Sequence, residues 1–357
     1  VRFSRREILS AVAIASIAPS QARAATTVTD SAGRAINLPV RPSKVFAAGG
    51  PASVALYALR PDAMVGWPRR VRPEEAPYIL PAVRDLPEAG MITGRGDTAN
   101  IEAVLRTKPD LILDFGSVNG TYVSLADNTQ ARTGIPYALV DGRFNATPSS
   151  LRLLGRLLGA EERAEALALC TEALFARLDA LLAGIPQSAR PRVYLARGPA
   201  GLETGLRGSI NTEIIERAGG RNVADSNDAR RGIVNVSPEQ ILAWDPDVVL
   251  TWDREFHQRV TQGRDPLWRS MRAIRANRLY LAPTAPFGWI DRPPSLNRII
   301  GLSWVANLLY GDRFAFDLQN ETRAFYKLFY QVDISEADLQ TLVAWADGKP
   351  PRGPVRQ

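Results

Sequence analysis

Cysteine and histidine are almost absent, since the 357 residues contain one of each, Cys170 and His257. A single cysteine excludes an intramolecular disulfide and any zinc or iron–sulfur centre built from thiolates. A single histidine excludes every multi-histidine metal cluster and leaves Ser–His–Asp chemistry no place away from His257. The sequence also lacks a Gly-x-Ser-x-Gly elbow, a Walker loop and an HExxH pattern. Catalytic equipment is therefore scarce. What is present is ordinary folded material: hydrophobic residues make up 45% and charged residues 23%, which excludes disordered and fibrous architectures. A chain of this length buries about three quarters of its unfolded surface and is long enough for about two domains.

Residues 1–24 read as an export signal rather than as fold. Arg2, Arg5 and Arg6 give a positive start, Ile8 to Ala18 is a short apolar run, and Ala22-Arg23-Ala24 offers a small-x-small cleavage site. The run is too short to span a bilayer. Ser4-Arg5-Arg6-Glu7-Ile8-Leu9 resembles the twin-arginine motif, so export of a folded passenger to the periplasm is expected. The bland alternative is an amphipathic N-terminal helix. No cysteine lies near the cleavage site, so no lipid anchor is expected, and the mature chain starts at Ala25. The leader carries +3 of the formal +7, leaving +4. Acids and bases are mixed along nearly every segment, which argues against nucleic acid as a partner.

Along the mature chain, Val28 to Leu38 reads as a β-hairpin turning at Asp30-Ser31-Ala32-Gly33. Short apolar runs then alternate with helical patterns: Lys44–Ala48, Ala63–Gly66, Asp110–Asp114 and Tyr137–Val140 read as strands, followed by Arg192–Ala196, Asp247–Thr251 and Arg278–Leu281. The alternation predicts an α/β protein with two Rossmann-like lobes, each with a central parallel sheet. The lobes span residues 25–145 and 187–330, with a C-terminal helix and tail over 331–357. Residues 146–186 hold a first-lobe helix, with Thr147 as cap and Pro148 at its first position, then a long rigid helix joining the lobes. Leu167, Cys170, Leu174, Leu178 and Leu181 recur at helical spacing on that joining helix, which places Cys170 on a buried stripe as core filling.

An internal echo is the most informative pattern. Ile101-Glu102-Ala103-Val104-Leu105-Arg106-Thr107-Lys108-Pro109-Asp110-Leu111-Ile112-Leu113 aligns without a gap on Pro238 to Leu250, at a constant offset of 137 residues. Each copy reads as a short helix, a Pro-Asp turn and a buried strand. Asn100 and Ser237 are the expected caps, and Glu102 and Glu239 fall in first helical turns, where the helix dipole favours a carboxylate. Those glutamates either serve only the helix ends or mark matched positions on two pseudo-symmetric lobes.

With its export signal, opening hairpin, Pro-x-Lys-Val first strand, twin Glu–Pro-Asp units and joining helix, the sequence resembles the substrate-binding proteins of bacterial ABC importers. The resemblance is to the branch that handles ferric siderophores, haem and vitamin B12, and it covers about residues 26 to 345. Ile210-Asn211-Thr212-Glu213, Gly219-Gly220-Arg221-Asn222 and the run Pro286 to Ser295 fit the same pattern. The resemblance implies a monomeric periplasmic protein that holds its ligand between lobes with small hinge motions. It also implies that Glu102 and Glu239 dock on an inner-membrane permease.

Ligand residues are expected in the loops that follow the strands. These are Trp67, Arg69 and Arg70; Asn119 and Tyr122; Arg143; Arg197; Trp252 and Arg254; and Phe287, Trp289 and Arg292. Arginine forks bind anionic groups bidentately and aromatic faces add contact area, so an anionic ligand with a flat or greasy body is expected. Trp289 and Arg254 stand out as individual residues, and Arg72 and Arg95 rank last. His257 is expected to be an ordinary hydrogen-bonded histidine. No direct metal ligand and no resident cofactor is expected; the cargo is expected to be an iron chelate, first a ferric siderophore, then haem or cobalamin, then an oxyanion of the molybdate or tungstate type. The rival class is an exported hydrolase using carboxylates such as Asp114, Asp253 and Asp291, although nothing arranges a specific pair.

Overall fold

The structure is a computed structural model that describes residues 25–39, 41–94, 101–225, 232–314 and 317–346. The export-signal reading, Arg95 and the Asn100 cap lie outside the described residues. The chain opens on an antiparallel hairpin, β1 (Ala25–Thr29) and β2 (Ala35–Pro39). Asp30 closes its turn by accepting from the Ala32 and Arg34 amides, and it also accepts from the Leu139 amide, which fixes the hairpin to the first lobe.

That lobe is built on the parallel strands β3 (Val45–Ala47), β4 (Leu111–Gly116) and β5 (Tyr137–Asp141). The expected strand Ala63–Gly66 is reduced to one parallel bridge, Val45 to Met64, on the outer side of β3. The second lobe contains β6 (Arg192–Ala196), β7 (Glu203–Gly205), β8 (Arg221–Asn222), β9 (Ile233–Asn235), β10 (Val248–Thr251) and β11 (Leu279–Leu281). Its parallel sheet is ordered β11-β10-β6-β8, while β7 and β9 pair separately. Counting the Met64 bridge, both lobes place their strands in the sequential order 2-1-3-4. The three second-lobe strands absent from the sequence reading are two or three residues long, too short to show a period-two pattern.

The echo is structural. Helices Ile101–Thr107 and Pro238–Trp244 occupy matching positions, and each ends in a residue of positive φ, Lys108 at 46° and Asp245 at 33°. The Pro-Asp aspartates that follow do the same work in both lobes. Asp110 accepts from the Ser43 amide at 2.7 Å, the Ser43 hydroxyl at 2.7 Å and the Lys44 amide at 3.1 Å, all just ahead of β3. Asp247 accepts from the Arg192 amide at 2.9 Å and from the Arg272 guanidinium at 2.8 Å, at the start of β6. Each aspartate thus pins the first strand of its lobe beside the third. Because both sites are solvent-accessible, Asp110→Ala and Asp247→Ala should each cost about 1–2 kcal/mol, measured by urea unfolding; a change below a few tenths would show that strand pairing does not need the pin.

Helix Thr147–Leu158 packs against helix Glu161–Leu182, which spans about 33 Å. Thr147 lies inside the first turn instead of capping it, and its hydroxyl donates to the Phe144 carbonyl. On the joining helix the buried residues are Ala164, Leu167, Ala168, Thr171, Leu178 and Leu182. The 3.6-residue track carries the stripe through Thr171, and Cys170, one step off it, is exposed. Cys170 is therefore not core filling.

One apolar core runs through both lobes, from Val45 and Leu154 through Leu167 to Val193, Leu250 and Tyr330. The segment after β11, expected to stay with the second lobe, keeps its contacts there, as in the Asp291–Arg197 pair, and also lies against the first. Tyr57 donates to the Tyr330 carbonyl, Ser295 to the Pro51 carbonyl, and Arg163 of the joining helix to the Ala58 and Leu328 carbonyls. The two lobes thus share one core and are tied together by these bonds.

Candidate functional site

In an open α/β sheet the ligand crevice lies beyond the carboxyl ends of the strands, where strand order reverses. Here that point falls after β3 and β4 in one lobe and after β6 and β10 in the other. Helix Gly50–Leu59 starts directly after β3, behind an extended Gly49, with no acidic residue in its first turn and no side-chain cap. Its open end is electropositive. Ser295 holds that end against the loop carrying Arg292 by donating to the Pro51 carbonyl at 2.7 Å, and a Cβ on Gly50 would lie 3.3 Å from the Pro293 ring. Behind this loop, helix Arg298–Tyr310 comes so close that a Cβ on Gly301 would collide with the Trp289 carbonyl at 1.8 Å.

Guanidinium groups gather around this crevice from both lobes. Arg69 and Arg72 both grip the buried Glu75 carboxylate, at 2.6 Å each. Burial alone would raise the Glu75 pKa, but the two arginines hold it below the usual carboxylate range. Across the gap, Arg197 pairs with the buried Asp291 at 2.7 Å and with Glu203 at 3.3 Å. Asn211 donates to the other Asp291 oxygen at 2.9 Å. Arg292 lies over the Trp252 ring at 4.4 Å, held by a backbone at φ 68°. Its guanidinium forms no hydrogen bond or ion pair among the described residues. Burial lowers its pKa first, followed by repulsion from Arg72 and Arg69; Asp253 opposes and Arg197 adds to the effect. Burial also lowers the pKa of Arg254, with Glu74 raising it and Arg72 lowering it, so the first-lobe loop acts on its charge.

The crevice therefore unites Arg69, Arg197, Trp252, Arg254 and Arg292 of the expected set. It adds Arg72, ranked last from sequence, and the open helix end at Gly50. Three expected aromatics are elsewhere. Trp67 and Phe287 pack with Tyr57 and Tyr330 in one buried ring cluster, and Trp67 donates to the Val83 carbonyl. Trp289 is fully buried and donates to the Tyr326 hydroxyl. Their partners lie as far as Tyr330 in sequence, so position after a strand could not reveal their burial. Arg70 is exposed and Arg143 is held by Asp141 at 2.6 Å. Asn119 caps helix Gly120–Thr133 by accepting from the Thr121 and Tyr122 amides. His257 is buried on the inner side of helix Arg254–Thr261, bonded to the Leu279 backbone.

The acids named for the rival hydrolase are occupied structurally. Asp253 caps helix Arg254–Thr261 through the Phe256 amide, and Asp291 is held by Arg197 and Asn211. Asp114 is buried against Tyr137 at 3.2 Å and Thr93 at 3.4 Å, and half-buried Tyr122 feels its charge. Burial pushes the Asp114 carboxyl up to about 6, with the Tyr137 hydroxyl opposing. The folded state thus binds this proton more tightly than the unfolded chain, whose value is near 3.9. Stability from this group is present at low pH and is lost as pH rises from about 4 to 6. Asp114→Asn should flatten the pH dependence of melting temperature across that window and raise stability at pH 7.5 by about 1–3 kcal/mol; an unchanged profile would contradict the burial assignment.

Glu102 and Glu239 are both exposed in the first turns of the echoed helices. Glu239 is held low by its own amide and by Ser237, whose hydroxyl caps the helix through the Gln240 amide. Among the described residues no cluster of three or more His, Cys, Asp or Glu side chains is placed to hold a metal ion.

Two matched lobes around a basic crevice, joined by a rigid helix and a common core, define a ligand-binding protein. A sequence model of the family described as periplasmic binding protein matches residues 53–286, and the chain belongs to that family, the ABC transporter periplasmic binding proteins of the TroA-like class. The molybdate-binding protein MolA of Haemophilus influenzae is 26% identical over 274 residues, 70% of this chain and 75% of MolA. A cobalamin-binding protein of Halobacterium salinarum is 30% identical over 238 residues, 63% of this chain and 58% of that protein. Among solved structures, an ABC transporter solute binding protein from Sulfurospirillum deleyianum superposes with a TM-score of 0.79 at 31% identity, covering 88% of this chain and 98% of its own. MolA bound to molybdate superposes with a TM-score of 0.71 at 20% identity, over 87% of this chain and 99% of its own, and shares the fold. Proteins of this class bind small-molecule ligands and work with an ABC permease.

Proposed function

We propose that this chain is the periplasmic, ligand-capturing component of an ABC importer and that its cargo is a compact, multiply charged oxyanion of the molybdate or tungstate type. In this reading residues 1–24 direct twin-arginine export, the protein acts as a monomer without catalysis or a resident cofactor, and Glu102 and Glu239 dock on the permease. The observation that carries the ligand class is Arg292. Its guanidinium is stacked on Trp252, repelled by Arg72 and Arg69, and adjacent through Pro293 to the open end of helix Gly50–Leu59. An anion placed there would receive fork hydrogen bonds and helix-end amides while cancelling the repulsion.

A flat or greasy ligand body calls for an aromatic lining, but Trp67, Phe287 and Trp289 lie in the core, and of the expected aromatics Trp252 is the one that stands beside the arginines, with half-buried Tyr122 next to Asp114. That favours a small polar cargo over a flat or greasy one. The relative named as molybdate-binding supports the same class. Titration of the mature protein by calorimetry with molybdate, tungstate, sulfate, a ferric catecholate, haemin and cyanocobalamin tests it. The expected result is sub-micromolar binding of molybdate or tungstate and at least about a hundred-fold weaker binding of the rest, a gap of about 2.7 kcal/mol. Tight binding of the ferric chelate with no response to the oxyanions would overturn the ligand class while leaving the transport reading intact.

A further inference from the structure

Among the described residues three large apolar side chains are exposed: Leu105 at 43%, Leu169 at 54% and Leu242 at 46%. Leu169 lies on the joining helix, whereas Leu105 and Leu242 occupy the same place in the two copies of the echo, 137 residues apart. The residue before each, Val104 and Ile241, is fully buried, so both helices are seated on their lobes in the same rotation. Each leucine follows an exposed glutamate, Glu102 or Glu239, by three residues and so lies on the same helix face one turn further on. Each helix precedes the central strand of its sheet and runs back along it, which puts its glutamate toward the crevice end of the lobe.

A lone exposed leucine needs no explanation. Two at equivalent positions, each beside an equivalent acid, form a repeated patch of one carboxylate and one apolar side chain. A two-fold symmetric partner presents its own patch twice and selects such a repeat. We propose that Leu105 and Leu242 are matched docking contacts for a two-fold symmetric membrane permease, each entering an apolar socket beside the basic group that receives Glu102 or Glu239. This rests on the importer reading above and adds a division of labour to it. The glutamates supply the screened, orienting attraction, and the leucines supply apolar burial that salt does not screen.

The test measures saturable binding of the fluorescently labelled mature protein to right-side-out inner-membrane vesicles of the organism that carries it, between 20 and 500 mM salt, with unlabelled protein as competitor. Leu105→Ala and Leu242→Ala should each weaken binding by about five- to ten-fold, equally within error, with the salt slope unchanged. Glu102→Gln and Glu239→Gln should instead flatten the salt slope. Melting temperature and ligand affinity should stay at wild-type values in all four variants; if an alanine variant melts early, Leu→Gln at the same position serves as the exposed, folded replacement. Leucine variants that bind like wild type, while the glutamate variants fail, would overturn this inference and leave docking through the acids standing. Wild-type protein that shows no saturable binding would overturn the importer reading, and this inference with it.

Discussion

Arg292→Ala is expected to weaken molybdate or tungstate binding about a hundred-fold without lowering the melting temperature. A fork contact supplies two charge-assisted hydrogen bonds, each worth about 1.5–3 kcal/mol when the partner is ionised, and a factor of ten corresponds to about 1.4 kcal/mol. The group forms no ion pair or hydrogen bond among the described residues, so its removal should leave the fold intact. Alanine inherits the same positive φ, so the backbone strain at this position is unchanged. Arg292→Lys should keep the charge but lose the fork, and recover only about one of the two factors of ten. Arg254→Ala should weaken binding in the same direction. Rising ionic strength should lower the affinity of the wild type more than that of the alanine variant. Calorimetry at two salt concentrations reads all of these, and an Arg292→Ala protein with wild-type affinity would remove the residue from the site.

The second large effect is on stability. Arg298 is fully buried and donates to the Ile210 carbonyl at 2.6 Å, the Gly142 carbonyl at 2.8 Å and the Ser295 carbonyl at 3.3 Å. Its guanidinium lies 4.7 Å from the Phe144 ring, and the Glu213 carboxylate is 3.9 Å away. Glu213 in turn accepts from the Phe144 amide at 2.7 Å. Gly142 and Phe144 belong to the first lobe and Ile210 and Glu213 to the second, so this one side chain latches the lobes together. Burial lowers the Arg298 pKa to about 10, which leaves it charged at neutral pH.

Arg298→Met keeps the volume but strands the Ile210 and Gly142 carbonyls and the Glu213 carboxylate. The expected cost is about 3–5 kcal/mol, or a fall in melting temperature of about 5–8 °C for a chain of this size. Amide exchange at Phe144 should accelerate together with it, because the carboxylate that holds that amide loses its counter-charge. A loss below about 1 kcal/mol with unchanged exchange would show that the latch is not what joins the lobes there.

The parts of this molecule that could be read from sequence are those whose cause is local. The echoed unit carries its helix, its Pro-Asp stop and its strand within thirteen residues, and the matching positive φ at Lys108 and Asp245 shows the same stop in both copies. The crevice was legible in outline because strand ends can be located, which brought in Arg197, Trp252, Arg254 and Arg292. Burial was not legible where the covering residue is remote: Trp67 is closed over by Phe287 and Trp289 by Tyr326, contacts between segments far apart in the chain. The nearness of Arg72 to Arg254 and Arg292 is not legible either, because it depends on charges across the gap rather than on its own segment. Arg298 left no signal, since an arginine at the start of an apolar helix reads as an exposed cap until its carbonyl partners are seen.

The most direct test is a crystal of the mature protein grown with tungstate and measured at the tungsten absorption edge. The anomalous peak is expected between the lobes, within hydrogen-bond reach of Arg292 and near the amides that open helix Gly50–Leu59. A peak bound elsewhere on the surface, or a crevice filled instead by an iron chelate or a tetrapyrrole, would contradict the account.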